Sequence, residues 1–496
     1  MISMKTLTRF LVLTLAVVAT GCAGPGAEPA AKRPNILYIM ADDHAAHALS
    51  CYGSRINRTP NLDRLASQGV RFDNAFCTNS ICTPIRAVLL TGQYSHLNGV
   101  MDNSGVLPKD ACIVPMALGK AGYQTAHIGK WHLHRDPTGF DHWDILPGQG
   151  EYHDPEFITN GVKNRVRGYV TDITIDKAME WIGTRDSTRP FLLYCHLKAP
   201  HRPWEPDARH AAMYEDADIP LPKTFDDDYA TRTRAAHLQT MTIEKHLTKT
   251  DVKADPPPGL SGAALKAWHY QRYIKDYLRC IASVDDNVGR LMEFLDAQHL
   301  ADDTVVIYTS DQGFFLGDHG WYDKRFMYEE SLRSPLIVRY PRETEPGTVC
   351  DAMTLSLDFA PTFLDFAGLE GAAAEEAMQH ELQGASLRPL LRGPARPPAD
   401  WRTSIYYHYY ESGEPHTVPK HYGVRTERYK MIRFYELPGG RAAQYELYDL
   451  RSDPHELHNL FTGDPASPYA AVIADLTAEL KRLRAKYHDP TGAPVP

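Results

Sequence analysis

Asn35-Ile36-Leu37-Tyr38-Ile39-Met40 is a continuous apolar run that stops at Ala41-Asp42-Asp43-His44. A run of this kind, without polar alternation, suits a strand buried on both faces of a parallel sheet. Ligands in open α/β sheets gather beyond the C-terminal ends of the strands, which is where Asp42 and Asp43 fall. Thr304-Val305-Val306-Ile307-Tyr308-Thr309-Ser310 repeats the pattern and stops at Asp311-Gln312-Gly313. Two strands of one type thus each end in an acid followed by another oxygen-bearing side chain. Adjacent carboxylates repel unless a cation joins them, and an all-oxygen set suits a hard cation, Ca2+ or Mg2+, and not zinc. The alternative for the Asp pair is a solvated turn or helix cap.

Other runs bring chemistry to the same end of the sheet. Gly122 to His132 reads as a short strand ending near Gly129, with Lys130 and His132 on one face. Pro190 to Leu197 reads as a buried strand that runs into Lys198-Ala199-Pro200-His201-Arg202-Pro203, with His201 between two prolines on a rigid loop. Taken singly, such a lysine is ordinarily solvated and such a histidine structural. Their shared position after strands favours the functional reading. Gly317-Asp318-His319-Gly320 and Lys324 follow the 304–310 strand on a loop at that end.

Thr59-Pro60 opens an amphipathic helix that closes before Gly69, and a second helix is expected near Cys82-Thr83-Pro84-Ile85-Arg86, closing on Gly92. Cys82 would then stand just ahead of unpaired backbone N–H groups, a natural anion site; a buried free cysteine is the alternative. Glu205 to Gly262 breaks into charged and Pro-containing sequence, read as a surface excursion or lid. Tyr270 to Leu295 carries a core stripe at helical spacing. Gly393 to Pro398 marks a domain boundary, so 34–395 is the catalytic domain and 400–490 a smaller one. The latter has strand patterns at Ser404–Tyr410, Gly423–Arg433 and Gln444–Leu450 and a helix after Ser467-Pro468. The expected fold class is therefore α/β, a large mostly parallel sheet plus a small antiparallel sheet with one helix.

The chain has 496 residues and a net charge of −9, so general affinity for nucleic acid or an anionic membrane surface is not expected. Lys5 and Arg9 precede an apolar run from Phe10 to Val18 and then Ala19-Thr20-Gly21-Cys22, the layout of a secretory signal over residues 1–22. Residues 23–33 read as a flexible tether. The other seven cysteines are sparse, without metal-type spacing.

Cys82-x-Pro84-x-Arg86 resembles the maturation signal of the formylglycine-dependent (type I) sulfatases. The resemblance extends over the Asp42-Asp43 strand, Thr59 to Ala66, Gly122 to His132, Asp311-Gln312-Gly313, Leu357 to Thr362 and Glu446 to Leu450. It implies an alkaline-phosphatase-like sandwich with a smaller C-terminal domain. It also implies a maturation enzyme that oxidises Cys82 to formylglycine, whose hydrate attacks sulfate esters. Carried over by position, Asp42, Asp43, Asp311, Gln312 and the matured Cys82 are expected to hold Ca2+. Arg86 is expected to orient the formylglycine, Lys130 and Lys324 to hold the sulfate oxygens, and His132 to contact the formylglycine hydroxyl. His201 is expected to protonate or stabilise the departing sugar oxygen. His319 is placed at the metal shell and substrate side, and His416, His421 and Tyr422 as exposed groups facing the sugar. Two positions depart from the family: Gln312 stands where many members have Asn or His, and Ile85 where Ser, Thr or Ala is usual.

Cys22 after Gly21 resembles a bacterial lipobox, although Leu is usual where Ala19 stands. This implies an exported, lipid-anchored protein of the periplasm or cell surface, with simple cleavage and release as the alternative. The contexts Asn79 to Cys82, Asp323 to Tyr328 and His421-Tyr422-Gly423 look most like bacterial glycan sulfatases acting on 6-O-sulfated N-acetylglucosamine in host glycans. A phosphate mono- or diester hydrolase of the same superfamily is a rival reading. So is a non-catalytic surface glycan-binding protein, should Cys82 remain a thiol.

Overall fold

Seven consecutive residues, Asn35–Ala41, form the expected strand, and all are buried. Leu37, Ile39 and Ala41 enter one apolar core while Ile36, Tyr38 and Met40 enter another, as a period of two requires when both sheet faces are covered. The strand is flanked in parallel by Thr304–Ser310 and Phe191–His196. Gln124–Lys130 and then His142–Leu146 continue the parallel set. Leu336–Arg339 joins Thr304–Ser310 antiparallel, and Val70–Phe72 and Thr348–Cys350 extend that side. The hairpin Glu156–Thr159 and Val162–Arg165 completes a mixed sheet of ten strands on the other side. The computed structural model describes residues 33–496, except 55, 394–396, 414, 493 and 496. The signal segment, Cys22 and all of the tether but Arg33 lie outside the described residues.

Helices Pro60–Ser67, Val170–Thr184 and Gly262–Ala297 cover one face. Helices Cys82–Thr91, Val114–Lys120 and Phe359–Phe366 cover the other. The helix expected over Tyr270–Leu295 starts earlier, at Gly262, behind Ser261. The excursion from 205 to 262 holds two short helices, Arg234–Leu238 and Lys249–Val252, and is otherwise irregular. Among the described residues no helix is long and apolar enough to cross a membrane.

The smaller sheet pairs Ser404–Tyr409, His421–Thr426, Tyr429–Phe434 and Gln444–Asp449 in antiparallel order, with helix Ala470–Lys486 behind it. The Gly423–Arg433 stretch is two strands, not one, because the chain turns at Glu427-Arg428, where the Tyr429 N–H donates to Thr426 Oγ1 at 3.0 Å. The break at 393–398 does not separate two bodies. A third core mixes Ile81, Ile85, Val88 and Phe326 with Ile405, Tyr407, Leu447 and Leu480, and residues 34–496 form one compact unit.

Candidate active site

The strand ends are stitched to one another before any side chain reaches the cavity. The Asp43 N–H donates to Asp311 Oδ1 at 3.0 Å, and the His44 N–H donates to Ser310 Oγ at 2.8 Å. Tyr277 OH, from the long helix, donates to the Asp43 carbonyl at 2.7 Å and accepts the Ala45 N–H at 2.8 Å. This fixes Asp43 in the left-handed region, at φ 67°. Lys324 is aimed in the same way, between Asp323 at φ 76° and Arg325 at φ 89°. Such conformations cost on the order of 1–3 kcal/mol each and persist where surrounding contacts over-determine them.

Cys82 is the first residue of its helix, behind the extended Ile81, and is buried. It therefore stands inside the helix start, one residue later than the expected position ahead of it. The Thr83 N–H, one of the terminal donors without an intrahelical partner, donates to Asn103 Oδ1 at 3.1 Å. Cys82 Sγ lies 3.3 Å from Lys324 Nζ, 3.8 Å from Asp42 Oδ1 and 3.9 Å from Gln312 Nε2. Burial pushes the thiol up to about 11 despite Lys324 and Lys130, so little thiolate exists at neutral pH.

The residues expected at the site converge. Lys130 Nζ contacts Asp42 Oδ2, and Lys324 Nζ donates to both Asp43 oxygens at 2.6 and 2.7 Å. Arg86 Nη2 reaches Asp311 Oδ2 at 3.1 Å and Asp42 Oδ1 at 3.5 Å. His201 Nε2 lies 3.7 Å from Asp43 Oδ2, and its Nδ1 donates to the Arg202 carbonyl at 2.7 Å. The Thr83 hydroxyl donates to the His132 carbonyl at 3.0 Å and so accepts from His132 Nδ1 at 3.2 Å, which leaves Nε2 as the lone-pair nitrogen.

The charges explain what the cavity can hold. Burial alone would raise Asp42, but Lys130, Arg86 and Lys324 hold it well below the usual carboxylate range. Burial and the other acids instead raise Asp43, and push Asp311 up to about 7 against the pull of Arg86. Burial, with Lys130 and Arg86, takes His132 down to about 2, and burial with Lys130 keeps His201 neutral. Oxygens of Asp42, Asp43 and Asp311 lie within 4.8 Å of one another, and Gln312 Oε1 is buried without a hydrogen-bond partner. Three mutually repelling carboxylates and an orphaned carbonyl oxygen fit a hard divalent cation.

Three expected substrate contacts are corrected. His319 is wholly buried between two acids, its Nδ1 2.9 Å from Asp227 and its Nε2, without a hydrogen-bond partner, 3.6 Å from Glu330. His421 is buried between Phe326, Tyr407, Tyr409 and Phe434, with Nδ1 donating to the Pro419 carbonyl at 2.8 Å. Tyr422 points to the other face of that strand, into the core with His408 and Tyr435. Strand alternation inside a sheet covered on both faces buries the neighbouring pair.

His416, also expected to be exposed, is buried beside the loop that carries Lys324, with Nε2 3.4 Å from Asp323 Oδ2 and Nδ1 without a hydrogen-bond partner. Around it are residues the sequence did not single out. Arg325 Nη1 donates to Tyr409 OH at 3.0 Å and to Glu411 Oε1 at 2.5 Å, and Glu411 Oε2 accepts the Asn103 N–H at 3.0 Å. The charges flanking Lys324 and the acid after the tyrosine run were the available signals.

Comparison with known proteins agrees with this geometry. The family profile described as Sulfatase matches residues 34–369. The chain belongs to the sulfatase family. It is a sulfuric ester hydrolase with the alkaline-phosphatase-like fold of that family. A second profile, described as N-sulphoglucosamine sulphohydrolase, C-terminal, matches residues 317–486 and so takes in both Lys324 and the small sheet. The chain is 42% identical to an N-acetylglucosamine-6-O-sulfatase of Bacteroides thetaiotaomicron over 98% of its own length and 92% of that protein. A solved sulfatase-like structure in complex with its substrate, D-glucosamine-2-N,6-O-disulfate, superposes with a TM-score of 0.88 at 42% identity, covering 92% of this chain and 99% of the other. A phosphonate monoester hydrolase of Agrobacterium radiobacter shares the fold alone, with a TM-score of 0.71 at 24% identity, covering 92% of this chain and 96% of the other.

Proposed function

We propose that this sulfatase removes 6-O-sulfate from N-acetylglucosamine-type sugars of host glycans or glycosaminoglycans, using a formylglycine made from Cys82 by a dedicated maturation enzyme and a bound Ca2+. The observation that carries the reading is the placing of Cys82 at a helix start between Lys324 and the three-aspartate cluster, with His201 across from it. The relatives named for glucosamine sulfates support the choice of sugar. A matured Cys82 supplies a hydroxyl nucleophile and the means to expel sulfate afterwards by carbon–oxygen cleavage. Asp42, Asp43, Asp311 and Gln312 would hold the calcium, which when bound would supply positive charge to the sulfate and lower the pKa of the hydroxyl.

The chain's own residues do the rest. Lys130 and Lys324 offset negative charge as it moves onto the sulfate oxygens, and their burial makes each contact stronger than it would be in water. His132, with a lone pair on Nε2, is suited to accept a hydrogen bond from a hydroxyl beside it. His201 starts neutral, and a bound sulfate monoanion favours its protonated form, from which Nε2 can donate to the departing sugar oxygen. Arg325, Asp323, Glu411 and the unpartnered His416 Nδ1 offer sugar hydroxyls a polar ring next to Lys324. The segment from Lys5 to Cys22 supports an exported, lipid-anchored protein of the periplasm or cell surface.

Sulfate release from N-acetylglucosamine-6-sulfate, galactose-6-sulfate and uronate-2-sulfate units tests the reading, with a C82A control. Release from the first alone, lost in the control, is expected. Turnover of phosphate esters in preference to sulfate esters would overturn it. An unchanged thiol mass for the 72–86 peptide in protein from its native host would overturn the maturation step.

A further inference from the structure

Two histidines that no part of this chemistry uses lie directly beneath Arg86. His127 sits on the Gln124–Lys130 strand and His196 ends the neighbouring Phe191–His196 strand. The register pairs His127 with Tyr194 and Gly129 with His196, so both imidazoles project from one face, two residues apart along the sheet. His127 Nε2 lies 3.1 Å from His196 Nδ1, and Arg86 Nη1 lies 3.4 Å from that same nitrogen. Both rings are buried, with Tyr38, Tyr194, Trp131 and Phe140 stacked or edge-on around them.

A guanidinium only donates, so His196 Nδ1 must carry a lone pair. The proton between the two rings then belongs to His127 Nε2, and each histidine is confined to one neutral tautomer. The same Arg86 nitrogen donates to the Lys130 carbonyl at 2.9 Å, and Nη2 is spent on Asp311. His196 is thus an acceptor that brings no negative charge. A carboxylate in its place would hold Arg86 as firmly but would neutralise it, and would add a fourth buried anion next to Asp42 and Asp311.

We propose that His196, fixed in one tautomer by His127, is a positioning residue for Arg86 that orients the guanidinium without adding a further negative charge beside the Cys82 site. The proposal rests on the sulfatase reading above only for its kinetic test. With wild-type protein cleaving its sulfated sugar, H196L should lose about ten- to a hundredfold in kcat with KM changed less than threefold. H196N puts an amide oxygen near the Nδ1 position and should recover to within about threefold of wild type. H127L should be impaired less than H196L, and the double variant no more than H196L alone. Thermal melting of each variant separates a folding defect from a positioning one. Wild-type activity in H196L, or equal impairment in H196N and H196L at matched melting temperature, overturns the proposal. If wild-type protein releases no sulfate, the sulfatase reading fails separately, and nitrogen NMR of 15N-histidine-labelled protein decides the positioning claim. His196 Nδ1 should resonate as an unprotonated nitrogen and His127 Nε2 as a protonated one; the opposite assignment overturns it.

Discussion

At the scale of single residues, the site is a set of buried charges that need one another. Lys324 and Asp43 are both almost wholly enclosed. Removing one partner of such a pair strands the other, at a cost of about 3–5 kcal/mol. K324A should lose that much in urea unfolding with chelator present and less with calcium, while kcat/KM falls at least about a hundredfold. His319 makes a different prediction. Burial would lower it, but Asp227 and Glu330 raise it to about 9, above the ordinary 6.5. Its contribution to stability is therefore full below about pH 6.5 and is lost as pH rises through about 9. Urea midpoints at pH 6.5 and 9.5 should differ more for wild type than for H319Q. The places of the candidate site residues were legible in sequence where chemistry followed a strand, as at Asp42, Lys130 and Asp311. His319, His421 and Tyr422 were misplaced because histidine and tyrosine look alike in a loop and in a core, and burial is decided by elements hundreds of residues away.

At the scale of elements, the strand ends do the positioning. Gly129 adopts φ 105°, and a Cβ there would come within 1.9 Å of the His196 carbonyl oxygen. G129A should cost on the order of 3 kcal/mol through strain and displacement of the neighbouring strand, read as a fall in melting temperature with loss of activity. The carboxylates beyond these strands should make stability depend on metal. Calcium at a hundred times its dissociation constant should add about 2.7 kcal/mol, and D311N should lose that increment in the same melts. Apolar runs gave the central strands to within a residue or two, since a doubly buried strand has little choice of composition. The turn at Glu427-Arg428 carries no Gly, Pro or Asn, so the hairpin it makes was read as one strand.

At the scale of the molecule, the third core is what the sequence concealed. Proline and glycine at 393–398 suggested a boundary, yet side chains from both sides of it fill one apolar cluster around Ile85 and Tyr407. A chain ending at 392 should fail to fold, giving insoluble protein or a far-ultraviolet spectrum without a cooperative melt. The same joint governs access to Cys82. The Ser80 N–H donates to Tyr407 OH, 327 residues further on, and the Thr78 carbonyl accepts the His408 N–H at 3.0 Å. Cys82 itself is 1% exposed. Any enzyme that rewrites Cys82 therefore works against a clock. If Cys82 is matured as proposed, residues 78–86 would stay within that enzyme's reach only until the strand at 404–409 has been synthesised and docked, and the yield of active protein would be set by a race between modification and elongation of the chain.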